Sequence, residues 1–351
     1  MMYRKYLAGF VMIGALFTIV SCRRSDAERN TFRRSNIAVR PVHVKVDSSE
    51  ATAAKDTTLA DTAVFNAIQM HLVHGKATSK WPVRAGFPLK GSILPFKRIV
   101  AYYGNFYSAG MGILGEVPED ELIQKLQKEV EEWRQADTMI PVVPAIHYIA
   151  VTAQHSPGKG AKYRLRMPGP QIDRALALAT RINGILFLDV QVGHSRLEDE
   201  LPLLEPYLRL PEVHLGIDPE FSMKGGQVPS TTIGYYDAAD INYAISFLQA
   251  MVKKYNLPPK VLVVHRFTKG MVTNYRNIKL CREVQVVVNM DGFGFPAKKI
   301  DSYNTAVAAE PIQYTGFKLF YKNDKLSRPY RLMKPAEILK LTPSPIYIQY
   351  Q

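Results

Sequence analysis

The run Val213-His-Leu-Gly-Ile-Asp-Pro-Glu-Phe221 decides how this chain folds. Successive side chains on a strand point to opposite faces, so Val213, Leu215 and Ile217 share one side and suit packing against helices. Gly216, Asp218 and Glu220 then turn the other way, toward a common interior. A short, nearly continuous apolar run that ends in acids is what a parallel strand buried on both faces looks like.

The pattern recurs on either side. Comparable runs occupy Arg98 to Tyr103, Ile140 to His147, Gly184 to Asp189, Lys260 to His265, Val284 to Asn289, Gly316 to Tyr321 and Ile346 to Tyr350, giving eight strand candidates. Helices fall between them. Pro118 opens one over 119–135, and Pro170 opens one over 171–182 with Ile172, Ala175, Leu176 and Ala179 on one face. Asp237 caps a third over 238–255, where Ile241, Ile245, Leu248 and Val252 align. Strand and helix alternate throughout, and about 255 residues is the usual size of a (β/α)8 barrel. The expected fold is therefore α/β, a TIM barrel over residues 93–351. The alternative, an open doubly wound sheet, lacks a Gly-x-Gly-x-x-Gly turn after the first strand.

The amino terminus reads as a secretory signal over residues 1–21. Arg4 and Lys5 precede an apolar run from Leu7 to Val20, too short to span a bilayer comfortably. Ile19-Val-Ser-Cys22 resembles the bacterial lipobox, which implies cleavage before Cys22 and acylation of its thiol. Residues 22–92 then form a mostly disordered tether, rich in small and polar residues, with one short helix over 63–73. Membrane lipid is the expected partner through Cys22, and a bacterial cell envelope, periplasmic or surface, is the expected location.

Cys281 is the only other cysteine, so with Cys22 acylated no internal disulfide is available and stability must come from a core. The net charge of +14 draws on Arg23, Arg24, Arg29, Arg33, Arg34 and Arg40 just behind the lipid, where basic side chains suit anionic head groups. No zinc-finger spacing, RNA-binding aromatic motif or recognition helix supports nucleic acid as a partner. Phosphate-loop and Gly-x-Ser-x-Gly motifs are also missing.

Functional residues of such barrels sit where strands end and loops begin. Here those positions hold Tyr103, Asn105, His147, Asp189, Gln191, His194, Asp218, Glu220, His265, Asn289 and Asp291, with Lys318 and Tyr350 as further candidates. Carboxylates crowded into one mouth push their titrations apart, so one keeps a proton near neutrality while another stays ionised. Glycosidic-bond hydrolysis uses such a pair. Glu220 is the expected general acid, Asp218 its orienting or electrostatic partner, and Asp189 or Asp291 a second functional acid. Tyr103, Asn105, His147, Gln191, His265 and Asn289 are expected to bind substrate. The scheme needs no cofactor and no metal.

Val100-Ala-Tyr-Tyr-Gly104, Asp218-Pro-Glu220 and Asn289-Met-Asp-Gly292 resemble motifs of chitinase-type family 18 barrels. In that family the strand-end Glu protonates the leaving oxygen and the Asp orients the substrate's acetamido group, which implies those roles for Glu220 and Asp218, with Asp291 supporting. Val213 and Gly216 stand where the family carries further aspartates, and Met290 stands where it carries a tyrosine. Across most of the domain the chain also resembles glycoside-hydrolase-like bacterial barrel lipoproteins with no established reaction.

Two other readings use the same rim. A glycan- or protein-binding lipoprotein would exploit Tyr102, Tyr103, Phe106, Tyr107, Phe221, Tyr235, Tyr236, Phe293 and Phe295. A metal-dependent hydrolase would use His147, Asp189, Asp218, His265 and Asp291, although the first strand lacks the His-x-His of barrel amidohydrolases.

Overall fold

A computed structural model describes residues 54–351. The signal segment, Cys22 and the first part of the tether lie outside the described residues. Eight parallel strands close into a barrel: β1 (Arg98–Gly104), β2 (Val142–Ala153), β3 (Ile185–Val190), β4 (Val213–Ile217), β5 (Lys260–Arg266), β6 (Val284–Met290), β7 (Tyr314–Leu319) and β8 (Tyr347–Tyr350). Each strand pairs with the next, and β8 pairs back onto β1 with Ala101 opposite Gln349. All eight expected strands form, and the open sheet is excluded.

Side-chain alternation divides the core in two. Leu186, Leu188, Val190, Val213, Leu215 and Ile217 face outward into a layer shared with the helices. Ile99, Ala101, Ala145, Ile185, Phe187, Val261, Val263 and Val287 fill the inside of the barrel near the strands' N-terminal ends. Outside, the long helices are α1 (Ala54–Leu72), α2 (Glu119–Ala136), α3 (Gly169–Arg181) and α4 (Ala238–Tyr255). Helix α2 buries Leu122, Leu126, Val130 and Trp133, and α4 buries Ile241, Ile245, Leu248 and Val252. Asp237 closes a capping box at the start of α4 with Asp240. After β3, β5 and β7 the chain makes only short helical turns, whereas after β6 an α-helix over Pro296–Ser302 runs on into a π-helix over Tyr303–Ala308, so the outer ring is uneven.

The tether expected over 22–92 needs correction in its second half. Helix α1 begins well before Ala63, and its Ile68 and Leu72 pack with Leu94, Ile99, Ile140 and Ile346 against the barrel's base. Burial of two such side chains contributes about 3 to 6 kcal/mol, enough to hold a helix that polar spacing alone leaves unassigned. His71 contacts Asp137 at 3.1 Å, and Ser344 N donates to Leu72 O at 2.6 Å. Among the described residues no helix is long and apolar enough to cross a membrane.

Candidate functional site

The polar side chains gather at the opposite, C-terminal end of the strands. Strand alternation places Tyr103 on β1, His147 on β2, Asp189 on β3, Gly216 on β4, His265 on β5, Asn289 on β6, Lys318 on β7 and Gln349 on β8, all directed inward. Register brings them to one level: Tyr103 lies opposite His147, Asp189 opposite Gly216, His265 opposite Asn289, and Lys318 opposite Gln349.

Asp189 is the hub. It is fully buried, and its Oδ2 accepts from the Tyr103 hydroxyl at 2.9 Å. Its Oδ1 lies 3.2 Å from His147 Nε2 and 3.4 Å from His265 Nε2. On the far side of His265, Nδ1 is 2.8 Å from Asp291 Oδ2, and Lys318 Nζ is 2.9 Å from Asp291 Oδ1. The Lys318 ammonium also sits 3.8 Å from the centroid of the Tyr103 ring. His147 Nδ1 meets the Tyr347 hydroxyl at 2.6 Å, which accepts from Gln349 Nε2 at 2.9 Å; Gln349 Oε1 accepts from Asn289 Nδ2 at 3.3 Å.

Toward solvent, Gln191 bridges this level to the next. Its Nε2 reaches the Tyr103 hydroxyl and Asp218 Oδ2, each at 3.4 Å, while its Oε1 accepts from Ala153 N at 3.1 Å. Asp218 Oδ1 accepts from the Glu220 backbone N–H at 3.0 Å, tying the strand end into a turn. Glu220 is half-buried at the mouth, and among the described residues no side chain is paired with its carboxyl by a hydrogen bond. Register between β2 and β3 shifts between Ile149 and Val151, the kind of irregularity that re-aims side chains beside functional sites.

The environments sort the acids. Burial alone pushes the Asp189 carboxyl up, but His265 and His147 hold it well below the usual carboxylate range. Asp291 is likewise penalised by burial and brought down by Lys318 and His265. Burial outweighs the opposing His265 and Lys318 charges at Asp218 and, with Asp291 and Asp189 nearby, pushes it up to about 7. Glu220 rises to about 8, through burial and then the Asp218 and Asp291 charges. His265 resists the cost of burial because Asp189 and Asp291 flank it, and it rises to about 10. His147 goes the other way, lowered by burial to about 4.

Most of the expected site residues therefore converge, at two depths. Asp189, His147, His265 and Asn289 are wholly buried in the floor, with Tyr103 nearly so. Asp218, Gln191, Asp291 and Glu220 stand above them. Asn105 is not part of the cluster; it donates to Ile149 O at 3.0 Å and accepts from Tyr107 N at 2.9 Å, fixing the loop after β1. Arg266, next to His265, is not part of the cluster and pairs with Glu310. Of the rim aromatics, Tyr107, Tyr235, Phe293 and Phe295 are exposed, whereas Tyr102 and Tyr236 are buried.

Sequence reading passed over Tyr347 and Gln349 as site members. Alternation held the signal: Ile348 and Tyr350 face the outer layer, which leaves Tyr347 and Gln349 pointing inward. The metal ligand types of the floor are His147, Asp189 and His265, whose nearest ligand atoms all lie within 4.8 Å of one another. Chemically, the mouth can deliver a proton from a raised carboxyl and stabilise positive charge with an ionised one. No protein-family model matches this chain, and no curated protein does.

Proposed function

We propose that the mouth hydrolyses glycosidic bonds by acid catalysis. The observation that carries this reading is the crowding of carboxyls from the ends of β4 and β6 into one mouth. Glu220, raised to about 8, keeps its proton at neutral pH, while Asp291 beside it stays ionised. Glu220 donates that proton to the leaving oxygen. Asp218 orients the substrate or steadies the positive charge that grows on the sugar ring, and Asp291 supplies the second carboxylate. Gln191 and Lys318 hold these acids in place, and the exposed Tyr235, Phe293 and Phe295 on the surrounding loops offer faces on which sugar rings stack.

The chain works at a bacterial envelope membrane, held there by acyl chains on Cys22 with the arginines behind it against anionic head groups. The test is release of reducing ends from a panel of envelope and plant glycans by the purified protein. Glu220→Gln is expected to slow release by about 100-fold or more, the range of a lost general acid. Silence across the panel with glycan binding intact would replace hydrolysis by a binding role for the same mouth.

A further inference from the structure

We propose that the floor of the mouth is a binding site for a divalent transition-metal ion of zinc type, held by His147 Nε2, His265 Nε2 and Asp189 Oδ1. The inference stands apart from the hydrolytic reading, because none of these residues is given a part in moving the proton.

Geometry carries it. The three atoms come from β2, β5 and β3 and all lie within 4.8 Å of one another. Asp189 Oδ1 is 3.2 Å from one imidazole nitrogen and 3.4 Å from the other. Ligands bonded to zinc at about 2.0 to 2.1 Å in a tetrahedron stand about 3.3 to 3.4 Å apart. These ion-pair contacts lack the alignment of hydrogen bonds: His147 Nε2, His265 Nε2 and Asp189 Oδ1 are each buried, and none makes an aligned hydrogen bond. Three polar atoms withdrawn from water, close together yet misaligned for one another, point instead at a shared cation.

The surroundings match. In metal sites the second nitrogen of a ligating histidine is held by a hydroxyl, carbonyl or carboxylate that sets the ring's orientation. Here His147 Nδ1 bonds the Tyr347 hydroxyl at 2.6 Å, and His265 Nδ1 is in ion-pair contact with Asp291 Oδ2 at 2.8 Å, without hydrogen-bond alignment. Asp189 Oδ2 is occupied by the Tyr103 hydroxyl, which leaves Oδ1 as the free donor. Lys318 is drawn aside onto Asp291 rather than Asp189. Gly216 completes the fit: a Cβ there would overlap both Asp189 Oδ1 and His147 Nε2, so only glycine lets the two atoms meet on that side. Two imidazoles with one carboxylate suit zinc, cobalt or nickel, whereas calcium and magnesium take oxygen ligands.

The experiment takes the purified full-length protein, strips it with chelator, and titrates it with Zn2+ alone, followed by calorimetry, and with Co2+ alone, followed by its visible absorption. We expect one equivalent to bind, with the intense bands of low-coordinate cobalt and a rise in melting temperature on loading. Asp189→Asn and His265→Gln are expected to weaken binding by about 100-fold or more. Asp291→Asn, which removes only the outer partner of His265, is expected to weaken it by about 10-fold to 100-fold. Melting of the metal-free variants checks folding, and Asp291→Asn, which leaves all three ligands in place, keeps the test open if a ligand variant does not fold. Failure of the wild-type protein to bind either ion would overturn the proposal, as would wild-type affinity in folded Asp189→Asn or His265→Gln. Glycan hydrolysis is read in a separate assay, so either proposal can fail alone.

Discussion

The two halves of the barrel interior obey opposite rules. Below, Ile99, Ile185, Phe187, Val261, Val263 and Val287 interlock as a dry core; above, the same strands present Tyr103, Asp189, His265 and Asn289. Both halves are almost fully buried, so exposure does not separate them. What separates them is what burial costs. An apolar side chain gains by leaving water, whereas each charged group in the upper half must recover its lost hydration from a neighbour. The lower half supplies stability that the upper half spends on holding its groups in fixed positions. Phe187 joins the two, its ring stacked on that of His147 with centroids 5.0 Å apart.

Breaking that junction has the largest expected effect. Phe187→Ala opens a cavity under the histidine, and its cost is expected at about 3 to 5 kcal/mol in denaturant unfolding. A loss below about 1 kcal/mol would mean the two halves are not coupled through this ring.

Next comes an attack on the upper half alone. Lys318→Met removes the buried ammonium from Asp291 and is expected to cost about 3 kcal/mol at pH 7, because breaking a buried pair leaves an uncompensated charge. The double variant with Asp291→Asn is expected to recover part of that loss, and the unfolding free energies of the cycle measure the coupling.

The third difference lies in pH. Glu220 has a folded value near 8, above its ordinary value, so the folded state binds its proton more tightly than the unfolded chain does. Its contribution is present below the ordinary glutamate range and is lost as pH rises through about 8. Asp189 and Asp291, held low, act with the opposite sign: their contribution is present above the ordinary aspartate range and is lost in acid. Between pH 5 and 8.5, wild-type stability is expected to fall relative to Glu220→Gln by about 1 to 2 kcal/mol, a figure reduced for the half-buried position of Glu220. Parallel unfolding curves for the two proteins across that range would remove the environmental argument for a protonated acid.

The smallest effect is expected at the rim. Phe293→Ala touches an exposed ring and is expected to change stability by no more than about 0.5 kcal/mol. Retention on immobilised glycan is expected to weaken all the same, which separates recognition at the rim from the acids below it.

The barrel was legible because its strands are nearly all apolar and end in polar residues, and because period-two alternation assigned each residue to a face. Val213, Leu215 and Ile217 lie outside and Asp218 inside for that reason alone. Two things were hidden. Depth depends on register between strands far apart in sequence, so nothing in the chain distinguishes Asp189, sealed in the floor, from Asp218 above it. Partner choice is similarly non-local: Arg266 finds Glu310 across the fold, and Lys318 finds Asp291. Helix α1 was only partly visible, because its register against the base is set by Ile68 and Leu72, two apolar residues within a polar stretch.

The packing of α1 has a directional consequence. The chain enters the barrel at the base, the pole opposite the mouth. On the proposed anchoring through Cys22, the segment that joins the barrel does so at its base and leaves the mouth at the other pole uncovered.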